Sequence, residues 1–253
     1  MDAAASIINL VAVRWSLQPA DDEHRFGHGK AESLAGLAQA AFICGSALFL
    51  LIEALDRLLH PRPLEATAVG LWVMGFAILA TLLLLGVQRY VVRHTGSLAI
   101  KADSLHYFTD LLTNTSVIVA LVLAAAGLHW ADAVFGLAIG AYILYSAVRI
   151  AHESIQHLMD RELPEEDQRR IIDIVLEHPE VQAVHDLRTR QSGQTRFIQL
   201  HMELDGGMTL ARAHEIGDRV MASLRQNMPG ADIIIHQDPE DDSLPEAPGQ
   251  RVT

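Results

Sequence analysis

Residues 102–131 read ADSLHYFTDLLTNTSVIVALVLAAAGLHWA, and this stretch decides the fold. From Leu111 to Ala131 there is no Asp, Glu, Lys or Arg. A helix of about 20 apolar residues spans a bilayer core. A span over about 97–127 is therefore expected, with Trp130 where interfacial aromatics sit. Within it His106 and Asp110 stand four residues apart, on one helix face. An ionisable side chain at the bilayer centre costs at least about 3 kcal/mol and usually serves function. A neutral imidazole and a carboxylate one turn apart are two ligands for a first-row metal. The plainer reading of the pair is a hydrogen bond along the helix near the membrane surface, because Lys101 and Asp103 give this helix a polar start.

Working outward, residues 33–52, 66–88 and 133–148 are equally free of charge, and spans are expected over about 32–58, 66–92 and 131–158. HPRP at 60–63, a turn near His94–Gly96 and GLHWAD at 127–132 separate them. Residues 3–13, AAASIINLVAV, are too few to span and read as the end of a helix whose beginning is absent. Asp2, at its start, is a candidate third ligand or an ordinary surface acid; Glu53 and Asp56 read as interfacial. Nothing before the first full span resembles a cleaved signal peptide. Arg14, Arg25, Lys30, Arg89, Arg93, Arg149 and Arg161 fall on one side of alternating spans, against Arg57 and Arg62 on the other. The side richer in Lys and Arg is cytoplasmic.

The 253 residues are 50% hydrophobic and carry a net charge of −12. Residues 163–253, with 17 acids and 9 Lys or Arg, contribute −8 of that. Such an acidic unit is a poor partner for nucleic acid. The single cysteine, Cys44, lies in an apolar run, which excludes an internal disulfide and a thiolate cluster. Residues 164–178 read as a helix, 181–190 and 195–204 as strands around the turn 191–194, 208–228 as a helix stopped by Pro229-Gly230, and 232–236 as a strand. That order, αββαβ, is a small α+β layer with its helices on one face. The domains are thus a membrane domain at 1–160, a soluble domain at 161–239, and a Pro- and acid-rich tail at 240–253 expected to be disordered.

Two further clusters offer nitrogen and oxygen donors of the zinc type. Asp21, His24 and His28 lie within eight residues of the cytoplasmic loop, just before Lys30. A solvated loop with scattered histidines is the plainer alternative. In the soluble domain His185 and His201 sit on the two hairpin strands, His214 on the second helix, and His236 and Asp238 on one face of the last strand. Each histidine alone reads as a surface residue; the set together is able to converge. No phosphate loop and no nucleophile–base order occurs, so no enzyme is expected.

The motifs SLQPADDEHRFGHGKAESLAGLAQA (16–40), ADSLHYFTDLLTN (102–114), DRELPEEDQRRIIDIV (160–175), HDLRTRQSGQTRFIQLHMEL (185–204) and IIIHQDP (233–239) resemble the cation diffusion facilitators, within them the bacterial YiiP type. The resemblance covers nearly the whole chain. It implies an inner-membrane homodimer that exports zinc, or iron(II), cadmium or manganese, by proton antiport, with a ferredoxin-like, metallochaperone-like cytoplasmic domain that senses metal. Zinc ions and no organic cofactor are implied. By position, the intramembrane transport site corresponds to Asp2, His106 and Asp110, with an earlier acid, four residues before Asp2, absent. The loop site corresponds to Asp21, His24 and His28. The binuclear cytoplasmic site corresponds to His185, His201, His214, His236 and the bridging Asp238, with Gln237 beside it. A charge interlock corresponds to Lys30 with Asp160. The family has six spans, whereas this chain shows four and part of another. A misassigned or truncated start is expected, against a genuine short form that senses metal without transporting it.

Overall fold

The computed structural model describes residues 2–60, 68–125 and 130–240, with the side chains of residues 2–8, 68–71, 120, 124 and 125 left undescribed. Pro61–Pro63, residues 127–129 of the expected turn, and the tail beyond Glu240 lie outside the described residues. The chain divides into two units, residues 1–156 and 157–253.

The first unit is a helix bundle: α1 (Asp2–Ser16), α2 (Lys30–Leu59), α3 (Ala68–Thr95), α4 (Leu98–Ala125) and α5 (Ala131–Leu158). Of the described helices, four are long and apolar enough to cross a membrane: Lys30–Leu59, Trp72–Thr95, Leu98–Leu123 and Ala131–Leu158. Side-chain size explains how they pack. The buried centre is built of Ala40, Ile43, Ala47, Ala102, Ile143, Ala147 and Ile150. Large side chains such as Phe49, Ile52, Trp72, Phe76 and Leu83 face outward. Small residues inside let helices approach closely, and lipid is as apolar a neighbour as leucine. The α3–α4 turn is tight because Gly96 takes φ 66°, its N–H donating to the Val92 carbonyl, and the Ser97 hydroxyl then caps the Ile100 N–H.

The second unit runs α6 (Glu165–Leu176), β1 (Ala183–Ser192), β2 (Thr195–Leu204), α7 (Leu210–Asn227) and β3 (Asp232–Pro239). Its order is the expected αββαβ. Pro164 precedes α6, whose first turn holds Glu165, Glu166 and Asp167, acids that suit a helix N-terminus. The sheet order is β1-β2-β3, with β1 antiparallel and β3 parallel to β2. The β2–α7–β3 crossover leaves both helices contributing to one core of Ile171, Val175, Ile198, Leu200, Ile216, Val220 and Leu224. Strand β3 runs three residues beyond the expected end at His236, because Met202, Glu203 and Leu204 on β2 go on pairing with Gln237, Asp238 and Pro239. That extension carries Asp238 into the sheet.

Candidate metal centres

The sheet register assembles the cytoplasmic cluster. His185 of β1 pairs with His201 of β2, and His201 pairs with His236 of β3. Three imidazoles therefore form one row across three strands, with ring centroids 5.2 Å and 4.6 Å apart. Asp238, two residues beyond His236 and on the same face, serves all three. Its Oδ2 lies 2.8 Å from His201 Nδ1 and 3.3 Å from His185 Nε2, and its Oδ1 lies 2.8 Å from His236 Nδ1. His185, His201 and Asp238 present donor atoms within 4.8 Å of one another. A β-bulge follows His185, where β1 advances three residues against two on β2 and Asp186 takes φ 48°. Bulges beside sites re-aim a side chain. His214 stands apart from this group: it is exposed on α7, its Nε2 3.6 Å from Asp218 Oδ2 one turn on.

Glu203 was missed from the sequence. It is buried, its Oε1 lies 3.8 Å from His185 Nδ1, and it pairs in register with Asp238. The signal was available, since Glu203 follows His201 by two residues and shares its strand face. Gln237 has a defined seat as well. A Cβ on Gly217 of α7 would come within 2.2 Å of its Nε2, so only glycine lets that amide lie against the helix.

The loop cluster is shaped by one carboxylate. Asp21 Oδ1 accepts the backbone N–H groups of Glu23 (3.0 Å) and His24 (2.6 Å), closing an Asx turn. Gly27, at φ 77°, turns the chain so that His28 comes back to Asp21. His24 Nδ1 and His28 Nε2 each lie 3.4 Å from an Asp21 oxygen, and the three groups offer donor atoms within 4.8 Å of one another. His28 is buried beside Trp15, and its Nδ1 has no hydrogen-bond partner among the described residues. The His24 N–H holds the Asp21 carboxyl below its usual range, so Asp21 is ready as an anion.

In the membrane unit His106 and Asp110 are both half-buried on α4, and the His106 ring meets Phe42 of α2 edge-on at 6.4 Å. The backbone of Asp2 opens α1; its side chain lies outside the described residues. Asp103 corrects the idea that it merely marks a polar helix start. It is buried, accepting from Gln39 Nε2 of α2 at 3.1 Å and Gln88 Nε2 of α3 at 2.7 Å. Lys101 pairs with Glu153 of α5. Asp160, at φ 57°, accepts from Arg190 Nη1 at 3.2 Å, and Lys30 opens α2.

Comparison with known proteins identifies this architecture. Residues 1–159 match the cation efflux transmembrane domain, and residues 163–240 match the cation efflux protein cytoplasmic domain. The chain is 54% identical to the cation-efflux pump FieF of Pectobacterium atrosepticum, over all of this chain and 84% of the relative. It is also 54% identical to FieF of Yersinia enterocolitica, over 94% of this chain and 80% of the relative. The solved structure of CzrB in its Zn form is 32% identical, covering 34% of this chain and 99% of its own, with a TM-score of 0.32. With both family domains matched in order, and a cation-efflux pump matched along the whole chain, this protein belongs to the cation diffusion facilitator family and is a cation efflux transporter whose membrane domain is followed by a cytoplasmic one.

Proposed function

We propose that the protein exports a divalent transition-metal cation, zinc foremost, across the bacterial inner membrane in exchange for protons, as a homodimer. The observation that carries this reading is His106 and Asp110 on consecutive turns of a membrane-spanning helix. Helix α1 supports a third ligand. Gly36 of α2 lies against Leu98 of α4, and Asn9 of α1 donates to the carbonyl of the next residue, Ala99. Seven residues from that contact along each helix, about 10 Å at 1.5 Å per residue, come Asp2 and His106. One imidazole and two carboxylates are a donor set that suits zinc.

Exchange follows from shared ligands. A carboxylate or imidazole holds either a proton or a metal, so loading the cation releases protons. Facing a more acidic exterior, the ligands exchange the cation for protons and the cation leaves. No bond of the cargo is made or broken, so this is transport and not enzymatic chemistry.

The resident cytoplasmic zinc fits the donor chemistry of this chain, in which three imidazoles meet one bridging carboxylate. His185, His201, His236 and Asp238 hold it in this reading, with His214 as ligand to a second ion. Zinc bound there links the cytoplasmic domains of two copies and reports metal load. Asp21, His24 and His28 form a third site, and Lys30 and Asp160 are the charged pair that the family resemblance implies. The test is zinc uptake into inverted vesicles under an imposed pH gradient. Wild type accumulates zinc and Asp110→Ala does not; equal uptake by both would remove the intramembrane pair from the transport path.

A further inference from the structure

Among the described residues, cavities open between the helices of the membrane unit, and two of them are not explained by cation transport. One, of about 520 Å³, lies between α3 and α4; the other, of about 270 Å³, lies between α4 and α5. They share Lys101, Ser104 and Phe108, three residues of one α4 face, so they form a continuous groove. Its lining changes character along its length. Leu82, Leu85 and Leu111 wall one end, and Gly86 leaves the wall open, with nothing within 4 Å of the space a Cβ would fill. Arg89, Arg93 and Lys101 line the other end, and Arg149 joins them from α5. From Leu82 to Arg93 the groove floor runs about 16 Å along α3.

Charge decides what fits. Four cations line the groove against one acid, Glu153, already paired with Lys101. Among the described residues, Arg89, Arg93 and Arg149 have no carboxylate partner. A metal dication is repelled by this lining. A free anion would leave the leucine wall without a role, and an apolar helix would leave the guanidinium groups unmatched. An amphipathic anion matches both ends, and basic pockets between spanning helices on the cytoplasmic side favour anionic head groups.

We infer that this groove binds one anionic phospholipid, its phosphate facing Arg89, Arg93, Lys101 and Arg149 and its first methylenes lying along Leu82, Leu85 and Phe108. The site is independent of the metal centres. Arg89 and Arg93 are exposed, so replacing them leaves helix packing alone.

Native mass spectrometry of the full detergent-solubilised chain tests it, with phosphatidylglycerol and phosphatidylcholine of equal chain length competing. The expected result is about tenfold preferential retention of phosphatidylglycerol, abolished in R89Q/R93Q and preserved in R225Q, whose charge is lost elsewhere. Equal retention of the two lipids by wild type overturns the inference, as does a preference that survives R89Q/R93Q. Displacement of the lipid by inorganic phosphate alone also overturns it, because the site would then be one for a free anion.

Discussion

Oδ2 of Asp238 stands 2.8 Å from Nδ1 of His201, a pairing made because residues 201–203 of β2 align with residues 236–238 of β3. The carboxylate sits where imidazoles from three strands meet. Asp238→Ala leaves those rings side by side without their anion. Its expected effect on cytoplasmic zinc affinity exceeds the about 10–100-fold loss that outer partners of a metal site usually cost. Glu203→Gln, at a carboxylate beside Nδ1 of His185 rather than at the bridging position, falls within that range. Calorimetric zinc titration of the full chain measures both.

Proton coupling follows from ligands that bind either species. Collapsing the pH gradient across inverted vesicles with an ionophore is expected to cut initial zinc uptake by about tenfold or more in wild type. Uptake that ignores the gradient would show a uniporter.

Helix packing supplies a prediction free of metal. A Cβ on Gly140 of α5 would meet Leu51 of α2 at 2.8 Å and 2.9 Å, whereas one on Gly45 meets nothing within 4 Å. Overpacking costs about 1–3 kcal/mol. Gly140→Val should lower the thermal unfolding midpoint of the detergent-solubilised protein by several degrees, and Gly45→Val should not.

Glu180 gives the cytoplasmic domain an acid-sensitive element. Arg219 donates to it at 2.6 Å and Arg212 at 3.3 Å, and this holds its carboxyl below the ordinary value of 4.5. A depressed folded pKa contributes stability that is fully present above the unfolded value and is lost as pH falls through the folded one. Glu180→Gln should therefore unfold more readily than wild type at neutral pH. The two should converge once pH drops below the carboxylate range, as followed by urea unfolding.

Much of this was legible in the chain, for identifiable reasons. Charge-free runs mark the spans because lipid excludes charge, and the start of α6 and the end of α7 follow from Pro164 and Pro229-Gly230. The short turn sets the hairpin register only as far as Arg188 opposite Gln199; His185 meets His201 through the bulge that follows it. The alignment of His201 with His236 does not follow from a turn, because a helix separates those strands and only the parallel register sets it. Asp103 was opaque for the same reason: its ligating amides, Gln39 and Gln88, lie 64 and 15 residues away in sequence. Asp186 gave no sign of its bulge, since local sequence does not show which strand carries the extra residue. The exposed position of His214 likewise depends on which face α7 turns to the sheet.

The central claim is that His106 and Asp110 grip the transported cation. Its most direct measurement is zinc titration calorimetry on the full chain with Asp21, His201 and Asp238 replaced by alanine, before and after also replacing His106 and Asp110. A remaining binding event that disappears with the second pair is the expected result. Binding that persists unchanged without His106 and Asp110 would contradict it.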